Sequence, residues 1–283
     1  MNWAEWSDRW PHAAHSTFVD ARPHRWHVQR MGTGPVLLLL HGAGAATHSW
    51  RALMPLLARS HDCIAVDLPG HGFTTAVPGR AGLEAMAADL STLLDVLGVE
   101  PAALVGHSAG ATIALRLSLD RGPRPVVAIN GAWALFDGLA AWLFPFMAKA
   151  LAVNPLTVPM FTAMSSPRRT RQLLERTGSR IDPEGLDLYH ALLSDRAHVA
   201  GALAKMASWD LRRLHRDARG HAAPVLLLAG DRDGTVPPKV SREMLPRLPD
   251  ATLEVMPGLG HLAHEEAPDP VRDAMRPITT LAG

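Results

Sequence analysis

Among 283 residues there is one cysteine, Cys63, and no second thiol for it to pair with. A disulfide framework is excluded, and the expected setting is a reducing compartment. Neither charge is in excess: 28 Lys+Arg stand against 27 Asp+Glu, and no long block of one sign occurs. That balance removes the electrostatic footprint of a nucleic-acid binder. Long apolar runs are missing too. The uncharged aromatic stretch Gly138 to Ala148 falls well short of the roughly 20 residues that span a bilayer. At most it forms a helix lying on a membrane surface, so membrane contact is expected to be peripheral. The amino terminus, Met-Asn-Trp-Ala-Glu-Trp-Ser-Asp-Arg-Trp, has no basic start followed by an apolar core, and the expectation is a cytoplasmic protein. The pairs His12/His15, His24/His27 and His261/His264 have metal-binding spacing, but no set of Cys or carboxylate residues completes a shell, so no metal is expected.

What is present is a chain able to bury a large core, since 47% of its residues are hydrophobic and only 19% charged. Short apolar runs bounded by Gly, Pro or Asp recur at Val36 to Leu40, Cys63 to Val66, Ala102 to Val105, Val126 to Ile129, Val225 to Ala229 and Thr252 to Met256. They predict buried strands of a mostly parallel sheet. Helical spacing lies between them, at Trp50 to Arg59, Leu83 to Leu97, Ala109 to Leu119 and Val240 to Leu248. This alternation predicts an α/β class, a doubly wound sheet with helices on both faces. Ser16 to Asp20 and Arg25 to Arg30 predict a leading antiparallel hairpin. The stretch from Asn130 to Val225 is too long for a structureless loop. Its first part is rich in Trp, Phe and Met and its remainder is charged with helical spacing, which predicts a helical cap over residues 131–220, inserted into a core of 1–130 and 221–283.

Gly106-His-Ser108-Ala-Gly110 sits between an expected strand and an expected helix. In that context a G-x-S-x-G element holds its serine on a sharp turn, hydroxyl outward, with glycines letting strand and helix approach. A serine hydroxyl is a poor nucleophile unless a base takes its proton, and the resulting cation needs an oriented anion. Later strand ends supply both. Asp233, just before Gly234, is the expected acid, with Asp231 read as a turn cap; His261, after a glycine turn, is the expected base, with His264 read as a surface residue at a helix start. His41-Gly42-Ala43-Gly44 follows an early strand, and the backbone N–H groups of Ala43 and Ala109 are the expected oxyanion donors. His41 is read as supporting that loop and His107 as facing the core.

With these pieces in the order Ser, Asp, His, the sequence resembles the α/β-hydrolase superfamily from Arg25 to its end, through His41-Gly42, Asp67-Leu-Pro-Gly-His71-Gly72, Gly106 to Gly110, Gly230 to Asp233 and Gly260-His261. The stretches Arg25 to His41, Thr47-His-Ser-Trp-Arg51, Thr177 to Gly185 and Ala207-Ser-Trp-Asp210 are similar to BchO-type magnesium-chelatase accessory proteins of bacteriochlorophyll-producing bacteria. That resemblance implies a place near magnesium insertion into protoporphyrin IX, beside the photosynthetic membrane, with a tetrapyrrole as candidate ligand and magnesium-chelatase subunits as candidate partners. Trp142, Phe146 and Met160 are the expected pocket residues in an apolar cap, a composition that packed core explains equally well. Two functions compete. One is hydrolysis of an ester or related acyl bond by Ser108, His261 and Asp233, needing no cofactor; the other is a non-catalytic accessory role in which the triad is a relic. A third keeps the triad and changes the reaction, to carbon–carbon cleavage or perhydrolysis.

Overall fold

The computed structural model describes residues 1–134 and 154–280. Eight strands form one sheet in the order β1-β2-β4-β3-β5-β6-β7-β8. Strands β3 (Val36–Leu40), β4 (Asp62–Val66), β5 (Ala103–His107), β6 (Val126–Ile129), β7 (Val225–Gly230) and β8 (Ala251–Met256) run parallel to their neighbours. The hairpin of β1 (Ser16–Ala21) and β2 (His24–Met31) adds the antiparallel edge by pairing β2 with β4.

The near-continuous apolar strands follow from burial on both faces. Because side chains alternate along a strand, Leu38, Leu40, Ile64, Val66, Leu104 and Leu227 pack with the helices Leu83–Leu97 and Ala109–Arg121. Leu37, Leu39, Cys63, Val105, Val127 and Leu228 face the other way, onto Trp50, Met54 and the helix Pro268–Thr279. The order β4-β3-β5 marks the point where the winding reverses, and the carboxyl ends of β3 and β5 meet there, where ligands bind in such sheets.

Two expected helices are shorter than their spacing suggests. Trp50 to Arg59 resolves into a 3-10 turn, Thr47–Trp50, and a four-residue helix Met54–Leu57 with proline in its first turn. Pro55 tolerates only a helix start, since its nitrogen has no proton to donate and its ring crowds a preceding turn. Val240 to Leu248 likewise becomes a helix Pro238–Met244 and a 3-10 turn Leu245–Arg247 that contains Pro246. The Trp-rich amino terminus packs on the body: Trp10 is buried, donates from Nε1 to Thr47 Oγ1 at 3.1 Å and meets Phe73 edge-on.

Between β6 and β7 the described residues contain helices Thr157–Ala163, Pro167–Arg176, Pro183–Ser194, Arg196–Ala207 and Arg212–Asp217, and no strand. Three begin on side-chain caps, Ser166, Asp182 and Asp195, each accepting a first-turn N–H. The insertion is pinned to the sheet by its backbone. Gly201 lies so close to Gly70 that a Cβ would come within 2.0 Å of the Gly70 carbonyl oxygen, and His198 accepts from Gly72 N at 3.0 Å while its other ring nitrogen donates to Gly44 O at 3.1 Å. Arg51 bridges Glu265 and Asp182, and Tyr189 donates its hydroxyl to Glu265 at 2.6 Å. Leu211, Leu214 and Ala218, at the end of the insertion, return to the core beneath the sheet. Among the described residues no helix is long and apolar enough to cross a membrane; the uncharged stretch Gly138 to Ala148 lies outside them.

Candidate active site

Ser108 occupies the turn between β5 and the helix Ala109–Arg121 with φ 52° and ψ −117°. A non-glycine residue holds such a conformation only when its surroundings dictate it, and here they do. Ser108 N donates to Ile129 O at 2.9 Å and Ser108 O accepts from Ala132 N at 3.1 Å. The flanking glycines have no room for side chains: a Cβ at Gly106 would lie 2.4 Å from the Gly110 backbone, and one at Gly110 would lie 2.0 Å from Leu40 O. The helix thus sits hard against the sheet, and the serine is forced out at its edge.

Two distant loops converge on the hydroxyl. Ser108 Oγ donates to His261 Nε2 at 3.0 Å, and His261 Nδ1 donates to Asp233 Oδ2 at 2.7 Å. This tautomer leaves the Nε2 lone pair facing the hydroxyl, as a general base requires. Asp233 is itself held from three sides. Its Oδ1 accepts from Thr235 N at 2.7 Å and Val236 N at 2.8 Å, and Asn130 Nδ2 donates to its Oδ2 at 2.6 Å. The insertion braces both loops, because Thr177 O accepts from Gly234 N at 3.0 Å and His261 N at 3.2 Å, and Ser179 Oγ accepts from Leu262 N at 2.8 Å. Asp231, exposed, accepts from Gly258 N at 2.7 Å and ties the turn after β8.

Other histidines serve these. His107 Nε2 donates to His261 O at 2.8 Å, so it steers the backbone of His261. Burial and the neighbouring His264 and His261 push its pKa well below the ordinary value, keeping it neutral. His264 is a correction to the sequence reading: it is fully buried, 4.5 Å from the His107 ring and 4.7 Å from Trp50, and burial takes its pKa to about 3. The chain after Gly260 folds it inward against His107 and Trp50 rather than out to solvent. His41 donates from Nδ1 to Gly42 O at 2.7 Å and accepts from Leu68 N at 2.9 Å. With both nitrogens engaged and burial lowering its pKa to about 3, it braces the Gly42–Ala43 loop and is no second base. Asp67 fastens that loop further, accepting from Thr47 N, Phe73 N and His27 Nδ1. Burial alone would raise its pKa, but the His27 and His41 imidazoles and the Phe73 N–H hold it at about 2.

Over Ser108 lies a cavity of about 370 Å³ whose lining includes Ala43, Ala109, Lys205, Met206 and Trp209. Ala109 opens its helix, where a backbone N–H has no partner within the helix, and Ala43 sits across the same space. Of the three pocket residues expected from sequence, Trp142 and Phe146 lie outside the described residues. Met160 stands 59% exposed on the short helix Thr157–Ala163, of which only Thr157 is buried, and does not line the cavity. Met206 and Trp209 line it instead. Sequence reasoning also missed Asn130 and Lys205. Position alone signals Asn130, since it follows a parallel strand at the sheet's carboxyl edge; Lys205 carries no sequence signal beyond an apolar neighbourhood on its helix. Among the described residues no group of three or more His, Cys, Asp or Glu is placed to hold a metal ion.

An eight-stranded, mostly parallel sheet, a serine on a strained strand-to-helix turn and a helical insertion above it define a class. The chain belongs to the α/β-hydrolase fold family, whose model matches residues 35–268. It is 45% identical to the magnesium-chelatase 30 kDa subunit of Rhodobacter capsulatus over 92% of this chain and 93% of that protein. It is also 27% identical to the sn-1-specific diacylglycerol lipase of Mus musculus, over 86% of this chain and 80% of the lipase. A thermophilic esterase from Thermogutta terrifontis shares the fold at a TM-score of 0.77 and 24% identity, over 95% of this chain and 99% of the esterase.

Proposed function

We propose that the protein is a serine hydrolase cleaving a carboxylic ester or related acyl bond, in bacteriochlorophyll biosynthesis near magnesium insertion into protoporphyrin IX. The observation that carries the chemistry is the line from Ser108 through His261 to Asp233, at 3.0 and 2.7 Å, starting from a strained serine. Support for the setting is the 45% identity to a protein named as a magnesium-chelatase subunit. In this reading the work is done in the cytoplasm beside the photosynthetic membrane.

The mechanism follows from the contacts. Ser108 Oγ attacks the acyl carbon as its proton passes to His261 Nε2, and the carbonyl oxygen takes the electron pair and turns toward the Ala43 and Ala109 N–H groups. Collapse expels the alcohol, which leaves with the proton from His261. Water then adds to the acyl-serine, giving its proton to the same nitrogen, and the acid departs as Oγ regains its proton. Asp233 keeps the imidazole in the tautomer both halves need. No step calls for a metal or organic cofactor.

The name of the R. capsulatus relative favours a second reading, in which the protein binds chelatase subunits or a porphyrin and the triad is unused. Replacing wild type by Ser108→Ala in a bacteriochlorophyll-producing cell separates the two. The hydrolase reading expects magnesium-porphyrin production to fall at normal protein level; undiminished production would leave the accessory reading standing.

A further inference from the structure

Lys205 lies on the helix Arg196–Ala207, in the wall of the cavity above Ser108. It is 1% exposed, and among the described residues its Nζ has no hydrogen-bond partner and no carboxylate within ion-pair distance. Its Nζ lies over the Trp209 ring, 5.5 Å from the centroid. An ammonium taken out of water with nothing to pair with is strongly disfavoured. Lys205 is therefore no support for the fold, and the mechanism above does not use it. Among the described residues its surroundings contribute no anion: Met206, Trp209, Ala132, Ala134 and Val236 are apolar, and Ser108 and Thr235 are neutral.

We propose that Lys205 is the specificity residue of the pocket, binding a free carboxylate carried by the substrate, so that the preferred esters are half-esters of dicarboxylic or polycarboxylic acids. The proposal rests on the hydrolase reading for its substrate class, but the recognition is a matter of binding alone. A carboxylate entering this cavity supplies the missing counter-ion where water is largely excluded, and such a pair discriminates far more than one at the surface. Burial has already drawn the Lys205 pKa down to about 7, so the amine is poised to take up or keep its proton when an anion arrives. The reacting carbonyl goes to Ser108 and the second acid group to Lys205, which fixes the order in which the acyl chain lies.

The test uses the full chain carrying Ser108→Ala, so that binding is read without turnover. Calorimetry would compare monomethyl esters of a series from succinate to suberate with the matching dimethyl esters. We expect at least one monoester to bind about tenfold or more tightly than its diester, and the preference to vanish in Ser108→Ala/Lys205→Met. Lys205→Met relieves an uncompensated buried charge, so its Tm should equal or exceed that of the parent; Lys205→Gln, still polar but neutral, should lose the preference as well. Equal affinity for both esters, a preference that survives Lys205→Met, or failure of every ester to bind would overturn the proposal. Hydrolysis of the same esters by the Ser108 protein is read separately. Selective binding with no turnover would refute the hydrolase reading and leave the carboxylate site in place.

Discussion

Asn130 donates to the same carboxylate oxygen of Asp233 that His261 uses, and it does so from a positive φ of 48° at the end of β6. In the proposed mechanism it touches no reacting atom, so its part is to position Asp233. Asn130→Ala removes a hydrogen bond to a charged group, worth roughly 1.5–3 kcal/mol. The expectation is a fall in kcat of about tenfold or more with KM little changed, measured on any ester the protein turns over; an altered KM at constant kcat would assign Asn130 to substrate binding. Ser108, Asp233 and His261 are expected from sequence because each lies within two residues of a glycine at the end of an apolar run. The sequence does not show Asn130 or the burial of His264. Both depend on where distant loops cross, and a polar side chain reads the same whether it faces solvent or another loop.

At the scale of elements, the turn at Ser108 exists because β5, β3 and the helix Ala109–Arg121 touch backbone to backbone. Gly110→Ala drives a methyl group into Leu40 O, at 2.0 Å from where the Cβ must go. The strand leads into the Gly42–Ala43 loop that faces Ser108 across the cavity, so the helix cannot withdraw without dismantling the site. We expect a loss of about 3 kcal/mol or more, read as a lowered urea midpoint, together with loss of serine reactivity; a variant as stable and reactive as wild type would show that the elbow has slack. The alternation of strands and helices was legible from hydrophobic period. Helix lengths at Pro55 and Pro246 were less so, since apolar spacing continues through a proline that the hydrogen-bond ladder does not tolerate. The pocket wall was the least legible part: an aromatic-rich segment drew attention to Met160, while packing of the helix Arg196–Ala207 against Gly70 put Met206 and Lys205 over the serine.

For the whole molecule, buried histidines set the response to acid. His41 and His264 have pKa values lowered by burial to about 3 and His198 to about 4, against 6.5 when free. Their unfolded forms bind protons first, so stability is intact above 6.5 and falls as pH drops toward 3, by about 1.4 kcal/mol per pH unit for each histidine while it titrates. Glu265 works oppositely: burial raises its carboxyl from 4.5 to about 7, which removes stability as pH rises across that interval. Three histidines outweigh one carboxyl. Urea unfolding should therefore show markedly lower stability at pH 5.5 than at pH 7; a flat profile would mean that these imidazoles are hydrated in the native state. The central claim, that this assembly makes Ser108 an active nucleophile, is tested most directly by intact-mass analysis after treatment with a fluorophosphonate. The account predicts one covalent adduct on the wild-type chain and none on Ser108→Ala. A folded wild-type chain that takes up no label, or an adduct that persists in Ser108→Ala, would contradict it.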